Sequence, residues 1–278
     1  MGPAVTYFSN KCAAITGAGD GIGRELAIQL NAQGCDLFLC DISEQRLAET
    51  VSLLKTSNGV IQSARVDCGV QAQIDEWADS ISQQRSCIDA LFNNAGVAYS
   101  APFEDSTDAN YQWLMNINFW GVVWSSRAFM PLLKKAPVGH LVNISSIFGM
   151  VGISTQSAYN AAKFAVRGFT ESLQAEYRGS HIKVSCVHPG GISTNIARRA
   201  RTNGSSVPSS EEERDAQFRR LAKTSPGTAA QVILKGAAKG KPRILIGLDA
   251  WFVYLLTFLM PTSYHIITGR LPTGDGEE

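Results

Sequence analysis

The feature that most constrains the fold is an alternation. Six short apolar runs, "CAAITG" (12–17), "CDLFLCD" (35–41), "IQSARVD" (61–67), "IDALFNNAG" (88–96), "GHLVNISS" (139–146) and "IKVSCVHPG" (182–190), read as strands ending in polar or glycine turns. Helix-length amphipathic stretches lie between them, beginning near Ile22, Glu44, Gln71, Thr107 and Gln156. Strands that are apolar on both faces belong inside a parallel sheet, because each crossover must carry the chain back over the sheet before the next strand can pair. The expected fold class is therefore α/β, a doubly wound parallel sheet with helices on both faces. "TAAQVILKGAAKG" (228–240) reads as a further helix and "RILIG" (243–247) as a last strand.

No linker divides the 278 residues, so one domain over 1–278 is expected. Within it, a polar, serine-rich insertion at about 190–225 lies beside the active face, with a helix that Ser210 and Glu213 would open as a capping box. An apolar tail follows at 248–278. A formal net charge of +1 offers no electrostatic reason to hold nucleic acid or an acidic membrane, which leaves a small molecule as the expected partner. The six cysteines never fall in C-x-x-C spacing and read as free thiols in a reducing compartment. "MGPAVTYFSNKC" lacks the basic start and long apolar stretch of a secretory signal, so a cytoplasmic location is expected; no metal site is.

"AAITGAGDGIGREL" (13–26) places Gly17, Gly19, Gly21 and Gly23 between the first strand and the first helix. A turn so poor in side chains lets backbone N–H groups and a helix N-terminus close on an anion. The dinucleotide pattern G-x-G-x-x-G fits in no register, because it would need glycine at Ile22 or at Arg24. The pattern that fits is T-G-x-x-x-G-x-G from Thr16. Asp41 ends the second strand, about where a carboxylate accepts hydrogen bonds from an adenosine ribose. It would repel a 2′-phosphate, and neither Ile42 after it nor Asp20 before Gly21 supplies a compensating cation. NAD(H) is expected in preference to NADP(H).

With "TGAGDGIG", "NNAG" (93–96), "YNAAK" (159–163) and "HPGGIST" (188–194) in this order, the sequence resembles the short-chain dehydrogenase/reductase family from about Lys11 to Gly247. The resemblance implies a Rossmann-type domain with about seven strands, hydride exchange with a nicotinamide, and a homodimer or homotetramer. It places the catalytic residues at Asn118 in "INFWG" (Asn116 fits less well), Ser146 (Ser145 is the near miss), Tyr159 and Lys163. It assigns Gly17, Gly19, Asp20, Gly21, Ile22 and Gly23 to the cofactor, with Asp41 on its ribose. Asp67, Cys68, Asn94, Ala95 and Gly96 would border adenine and its ribose, and Pro189, Gly190, Ile192 and Thr194 the nicotinamide end.

A free tyrosine, with a pKa of ~10, is the wrong form to act as a base. Lys163, four residues on and so on the same helix face, would lower that pKa together with the positive ring of the oxidised cofactor. In reduction the same tyrosine donates the proton. Ser146 would orient the substrate oxygen. By resemblance, Asn118 would hold a water linking Lys163 to solvent.

Ser146, Tyr159 and Phe148, with Ile147, Met150 and the stretch from Asn195 to about Leu221, are the expected substrate walls. Their apolar character points to a hydrophobic alcohol or ketone. Arg198, Arg199 and Arg201 could instead meet an anionic substrate, although such a cluster is more often a solvated surface. The helix "YQWLMNINFWGVVWSSRAFM" is apolar nearly all round, which fits a subunit contact as well as the sheet. "AWFVYLLTFLM" (250–260) is too short to span a bilayer; packing against a subunit or the site is favoured over membrane contact. The expected function is an NAD(H)-dependent oxidoreductase interconverting a secondary alcohol and its ketone. Two alternatives are a silent NAD(H)-binding sensor or scaffold and a membrane-associated lipid or steroid dehydrogenase.

Overall fold

The computed structural model describes residues 7–55, 59–204, 210, 212, 216 and 222–268. The chain runs β1 (Cys12–Thr16), α1 (Gly21–Asn31), β2 (Asp36–Asp41), α2 (Glu44–Ser52), β3 (Ile61–Arg65), α3 (Gln71–Ser82), β4 (Ala90–Asn93), β5 (Tyr99–Ser100) and α4 (Asp108–Met115). A π-helical turn (Asn116–Trp120) leads into α5 (Gly121–Leu133), β6 (Gly139–Ile144), a short 3-10 turn (Ile147–Gly149), α6 (Ser157–Glu176), β7 (Ile182–Pro189) and β8 (Arg201–Thr202). The last elements are α7 (Pro226–Ala238), β9 (Arg243–Ile246), α8 (Leu248–Leu259) and α9 (His265–Thr268).

Seven strands form one parallel sheet in the order β3-β2-β1-β4-β6-β7-β9. In β1, Ala13 and Ile15 enter one apolar layer while Cys12 and Ala14 enter the other. Leu37 and Leu39 of β2 likewise oppose Phe38 and Cys40. Side chains alternate along a strand, so a continuous apolar run feeds both layers at once. One layer is closed by Leu26, Ala27 and Leu30 of α1 with Ile233 and Leu234 of α7. The other is closed by Trp77 and Ile81 of α3 with Phe129 and Leu132 of α5. From β1 the chain steps outward to β2 and β3, then returns to β4 on the other side of β1. The crevice at the carboxyl ends of β1 and β4 is therefore the topological switch point where such sheets bind ligands.

The helix starts expected at Glu44 and Gln71 fall on those residues, while Thr107 and Gln156 are the caps just before α4 and α6. Two features depart from the sequence reading. The apolar helix of 111–130 is interrupted by the π-helical turn, and the 190–225 region pairs back on the domain through β8, parallel to β5. The capping box and helix expected beyond Ser210 lie outside the described residues, apart from Ser210, Glu212 and Ala216; so do residues 269–278 of the tail. The six cysteines are free thiols, all buried except the half-buried Cys87.

Candidate active site

The glycine turn packs face to face with the "NNAG" loop after β4. Thr16 Oγ1 accepts the N–H groups of Asn94 and Ala95, both at 3.0 Å, and the Asn94 amide donates to the carbonyls of Thr16 at 3.1 Å and Gly17 at 3.0 Å. Gly17 sits at φ +66°, and a Cβ there would lie 2.8 Å from Ala95 Cα. The contact needs a bare backbone. Asp20 caps α1 by accepting Gly21 N–H at 2.7 Å, which leaves the N–H groups of Ile22 and Gly23 in the first turn, where a helix has no acceptor of its own. An anion is the group that fits such donors.

Asp41 is buried at the end of β2, accepting Gly19 N–H at 3.0 Å on one oxygen and Ser43 N–H at 2.9 Å on the other. The second oxygen also accepts the Arg46 guanidinium at 2.9 Å. The sequence reading that no cation stands near Asp41 is thereby corrected: the chain turns through the Ser43 cap, and α2 brings Arg46 back over the carboxylate. The adjacent Arg24 donates to Gly19 O at 2.6 Å and pairs with Glu49.

Asp67, at the end of β3, accepts Gly69 N–H at 2.8 Å. Cys68 is turned into the core toward Cys40, so its thiol does not face the crevice. Beyond β7, Pro189 and Gly190 lead to Ile192, buried in the core, and to Thr194, whose methyl would meet a Cβ on Gly21 at 3.0 Å. Thr194 thus lies across the glycine turn. Asn195 and Arg199 hold this segment down, donating to Asp20 Oδ2 at 2.9 Å and 2.6 Å. Arg201 lies 3.6 Å over the Trp113 ring. Arg199 and Arg201 have these partners within the protein while Arg198, Arg199 and Arg201 all stay exposed, as the reading of a solvated cluster expects.

The adjacent serines at the end of β6 separate by strand parity. Ser145 is buried and donates to Lys163 O at 2.8 Å, whereas Ser146 is half-buried, accepts Phe148 N–H at 3.1 Å and stands close enough to the Tyr159 hydroxyl to favour its ionised form. Tyr159 and Lys163 occupy successive turns of α6, with the Lys163 ammonium 5.6 Å from the Tyr159 ring centroid and donating to Ile144 O at 3.1 Å. Asn118, inside the π-helical turn, is fully buried; it accepts Val97 N–H and donates to Val97 O, each at 2.8 Å. Its side chain is spent on the loop after "NNAG", which gives no support to the water-holding role for that amide. A Cβ at Gly96 would sit 3.3 Å from Asn118 Oδ1 and 3.6 Å from Lys163 Nζ, so these three residues meet. Asn116 faces outward and bonds Gln112.

Burial dominates the electrostatics. It pushes the Tyr159 phenol up to about 12, against the effect of the nearby Ser146 hydroxyl, and draws the Lys163 ammonium down to about 8. The expected lowering of the Tyr159 pKa is therefore not supplied by the protein alone. His188 Nδ1 donates to Ser146 O at 2.9 Å, and burial draws the imidazole pKa down to about 4, so it stands neutral behind Ser146.

On the substrate side, Phe148 meets the Tyr159 ring edge-to-face at 6.1 Å. Met150 is buried with Val151 against Val253 of α8, so it backs the wall instead of lining it. Three supports escaped the sequence reading: Arg46, Asp249 and Asn160. Asn160 follows Tyr159 and donates to Phe148 O at 2.8 Å and Val151 O at 2.7 Å, pinning the 3-10 turn to α6. A polar residue inside "YNAAK" on an otherwise buried helix face was the available signal.

A glycine turn at the switch point, a buried carboxylate on the next strand and a Ser-Tyr-Lys cluster on the same sheet edge define a Rossmann-type oxidoreductase. The family model described as short chain dehydrogenase matches residues 11–204. The chain is 41% identical over 264 residues, 94% of each protein, to SadH of Mycobacterium tuberculosis, which is named as an oxidoreductase. It is 32% identical over 270 residues to dehydrogenase/reductase SDR family member 7B of Mus musculus, covering 95% of this chain and 82% of that one. A crystal structure of a short-chain dehydrogenase/reductase from Burkholderia phymatum in complex with NAD superposes with a TM-score of 0.82 at 29% identity, covering 98% of this chain and 99% of that one. The chain belongs to the short-chain dehydrogenase/reductase family.

Proposed function

We propose that this oxidoreductase interconverts a hydrophobic secondary alcohol and its ketone, with NAD(H) preferred over NADP(H). The observation that carries the reading is the grouping of Ser146, Tyr159 and Lys163 at one sheet edge, with Ser146 near the Tyr159 hydroxyl and the Lys163 ammonium 5.6 Å from the Tyr159 ring. A bound nicotinamide supplies the hydride acceptor or donor and, when oxidised, a positive charge near the phenol. In reduction, Ser146 orients the carbonyl oxygen and Tyr159 gives it a proton; in oxidation, Tyr159 takes that proton from the hydroxyl. Asp41 supports the NAD(H) preference, because its carboxylate already engages Arg46, the nearest guanidinium that could otherwise face a 2′-phosphate.

Initial rates of NADH and NADPH oxidation with aliphatic, cyclic, aromatic and steroid ketones test this. Wild-type turnover should be faster with NADH, and Tyr159→Phe should lose about a hundredfold or more in rate. Its NADH affinity should stay within about twofold, since the bulk of the binding site is unchanged. NADH binding without turnover on any ketone would replace the reading with a sensor or scaffold. The exposed aromatic face of α8 favours one second reading, a lipid or steroid substrate met at a membrane surface. Cosedimentation with liposomes, lost on Phe252→Glu, would support it.

A further inference from the structure

We infer that Asp249, in the first turn of α8, is a positioning residue for the cofactor side of the site. The role rests on the nicotinamide reading above and adds to it a residue far along the chain from every motif.

β9 ends at Ile246, and Gly247, at φ +95°, turns the chain into α8. That turn sets the start of α8 against the end of β7, where Gly190 donates to Ile246 O at 2.9 Å. Asp249 Oδ2 then accepts the N–H of Gly191 at 2.6 Å, a short hydrogen bond to a charged acceptor. A Cβ on Gly190 would fall on the same carboxylate. The consecutive glycines after Pro189 are what let a side chain from α8 reach the main chain.

The segment beyond is held on its other side by Thr224: Gly191 O accepts Thr224 N–H at 3.2 Å, and Ser193 N–H donates to Thr224 O at 2.9 Å. Thr194, the next residue, crosses Gly21 at the mouth of the glycine turn. Asp249 therefore fixes the start of a strap whose end borders the candidate cofactor crevice. Without the carboxylate, a glycine pair with wide conformational freedom would carry an unpaired N–H. Fewer molecules would then hold the strap in place, and apparent cofactor affinity falls by that fraction.

The test compares wild type, Asp249→Ala and Asp249→Asn by two measurements that need no turnover: amide hydrogen exchange of residues 189–194 without cofactor, and NADH affinity by fluorescence titration. Asp249→Ala should exchange about tenfold faster at Gly191 and bind NADH about tenfold more weakly, as loss of a charge-assisted hydrogen bond implies. Asp249→Asn keeps an acceptor oxygen and should stay within about threefold of wild type in both. Wild-type exchange and affinity in Asp249→Ala would overturn the role while leaving the cofactor reading intact. So would an Asp249→Asn protein as weak as Asp249→Ala with both melting well below wild type, since the loss would then be one of folding. A wild-type protein that binds neither NADH nor NADPH would remove the cofactor reading itself, and the role with it.

Discussion

Lys163 and Tyr159 titrate in opposite directions, and the two signs make a measurable pattern. The ammonium, ordinarily near 10.5, is drawn down to about 8 by burial. Between those values the unfolded chain still holds a proton that the folded protein has released, so stability rises with pH. The phenol, ordinarily near 10.0, is pushed up to about 12, so from 10 to 12 the folded protein keeps a proton the unfolded chain has lost, and stability falls. Of these two groups only the lysine acts between about 8 and 10; the buried thiols of Cys12, Cys35, Cys40 and Cys186, pushed above their ordinary 9.0, pull the other way there and cancel in a comparison with Lys163→Met. Wild type should therefore gain roughly 1 to 2 kcal/mol over Lys163→Met between pH 8 and pH 9.5, read from urea midpoints at each pH. Parallel pH profiles for the two proteins would show that the buried ammonium carries no such cost. The same scale marks a boundary of legibility. That Tyr159 and Lys163 share a helix face follows from a spacing of four residues, but the direction of the Tyr159 shift depends on how deeply α6 is covered, which spacing does not encode.

At the scale of elements, the glycine turn was legible because its constraint is local, and the structure adds what each glycine avoids. A Cβ at Gly23 would run into Gly17 O and the Asn94 amide, so Gly23→Ala must push the turn away from the "NNAG" loop. It should cost roughly 1 to 3 kcal/mol, as overpacking does, and weaken NADH binding with it. Gly168, within α6, has open space where a Cβ would stand, so Gly168→Ala should raise stability by up to about 1 kcal/mol. Thermal unfolding of both variants checks the contrast, and equal shifts would remove the steric argument. The alternation of strands and helices was legible for a related reason: seven apolar runs repeat a period that only a covered parallel sheet explains. The π-helical turn around Asn118 was not, because 111–130 is apolar on nearly every side and offers no periodicity for an extra residue to disturb. Arg46 and Asp249 were missed because their partners are set by how α2 and α8 return to the sheet edge, and nothing in their neighbouring residues announces it.

At the scale of the whole molecule, exposed apolar surface is what a second copy would cover. Two surfaces compete. Trp120, stacked on Trp124 at 6.1 Å, is 41% exposed, and Phe164 on α6 is 38% exposed, so together they give the region around α5 and α6 an apolar exterior. On α8, Ala250, Val253 and Leu256 face inward, while Trp251, Phe252, Leu255 and Phe258 are exposed. Among the described residues no helix is long and apolar enough to cross a membrane. We propose that the first surface forms a homodimer, because a two-fold contact there would cover Trp120 and Phe164 while burying the outer side of the helices that carry Asn118 and Tyr159. In an isologous contact each substitution acts twice. Trp120→Glu should therefore weaken association about a thousandfold, which is roughly 4 kcal/mol for removing one large apolar side chain from each half of the interface, and yield monomers at micromolar concentration by light scattering. Phe258→Glu should leave the mass of the assembly unchanged. The opposite pattern, dissociation by Phe258→Glu and not by Trp120→Glu, would move the subunit contact to α8 and place Asp249 beside an interface.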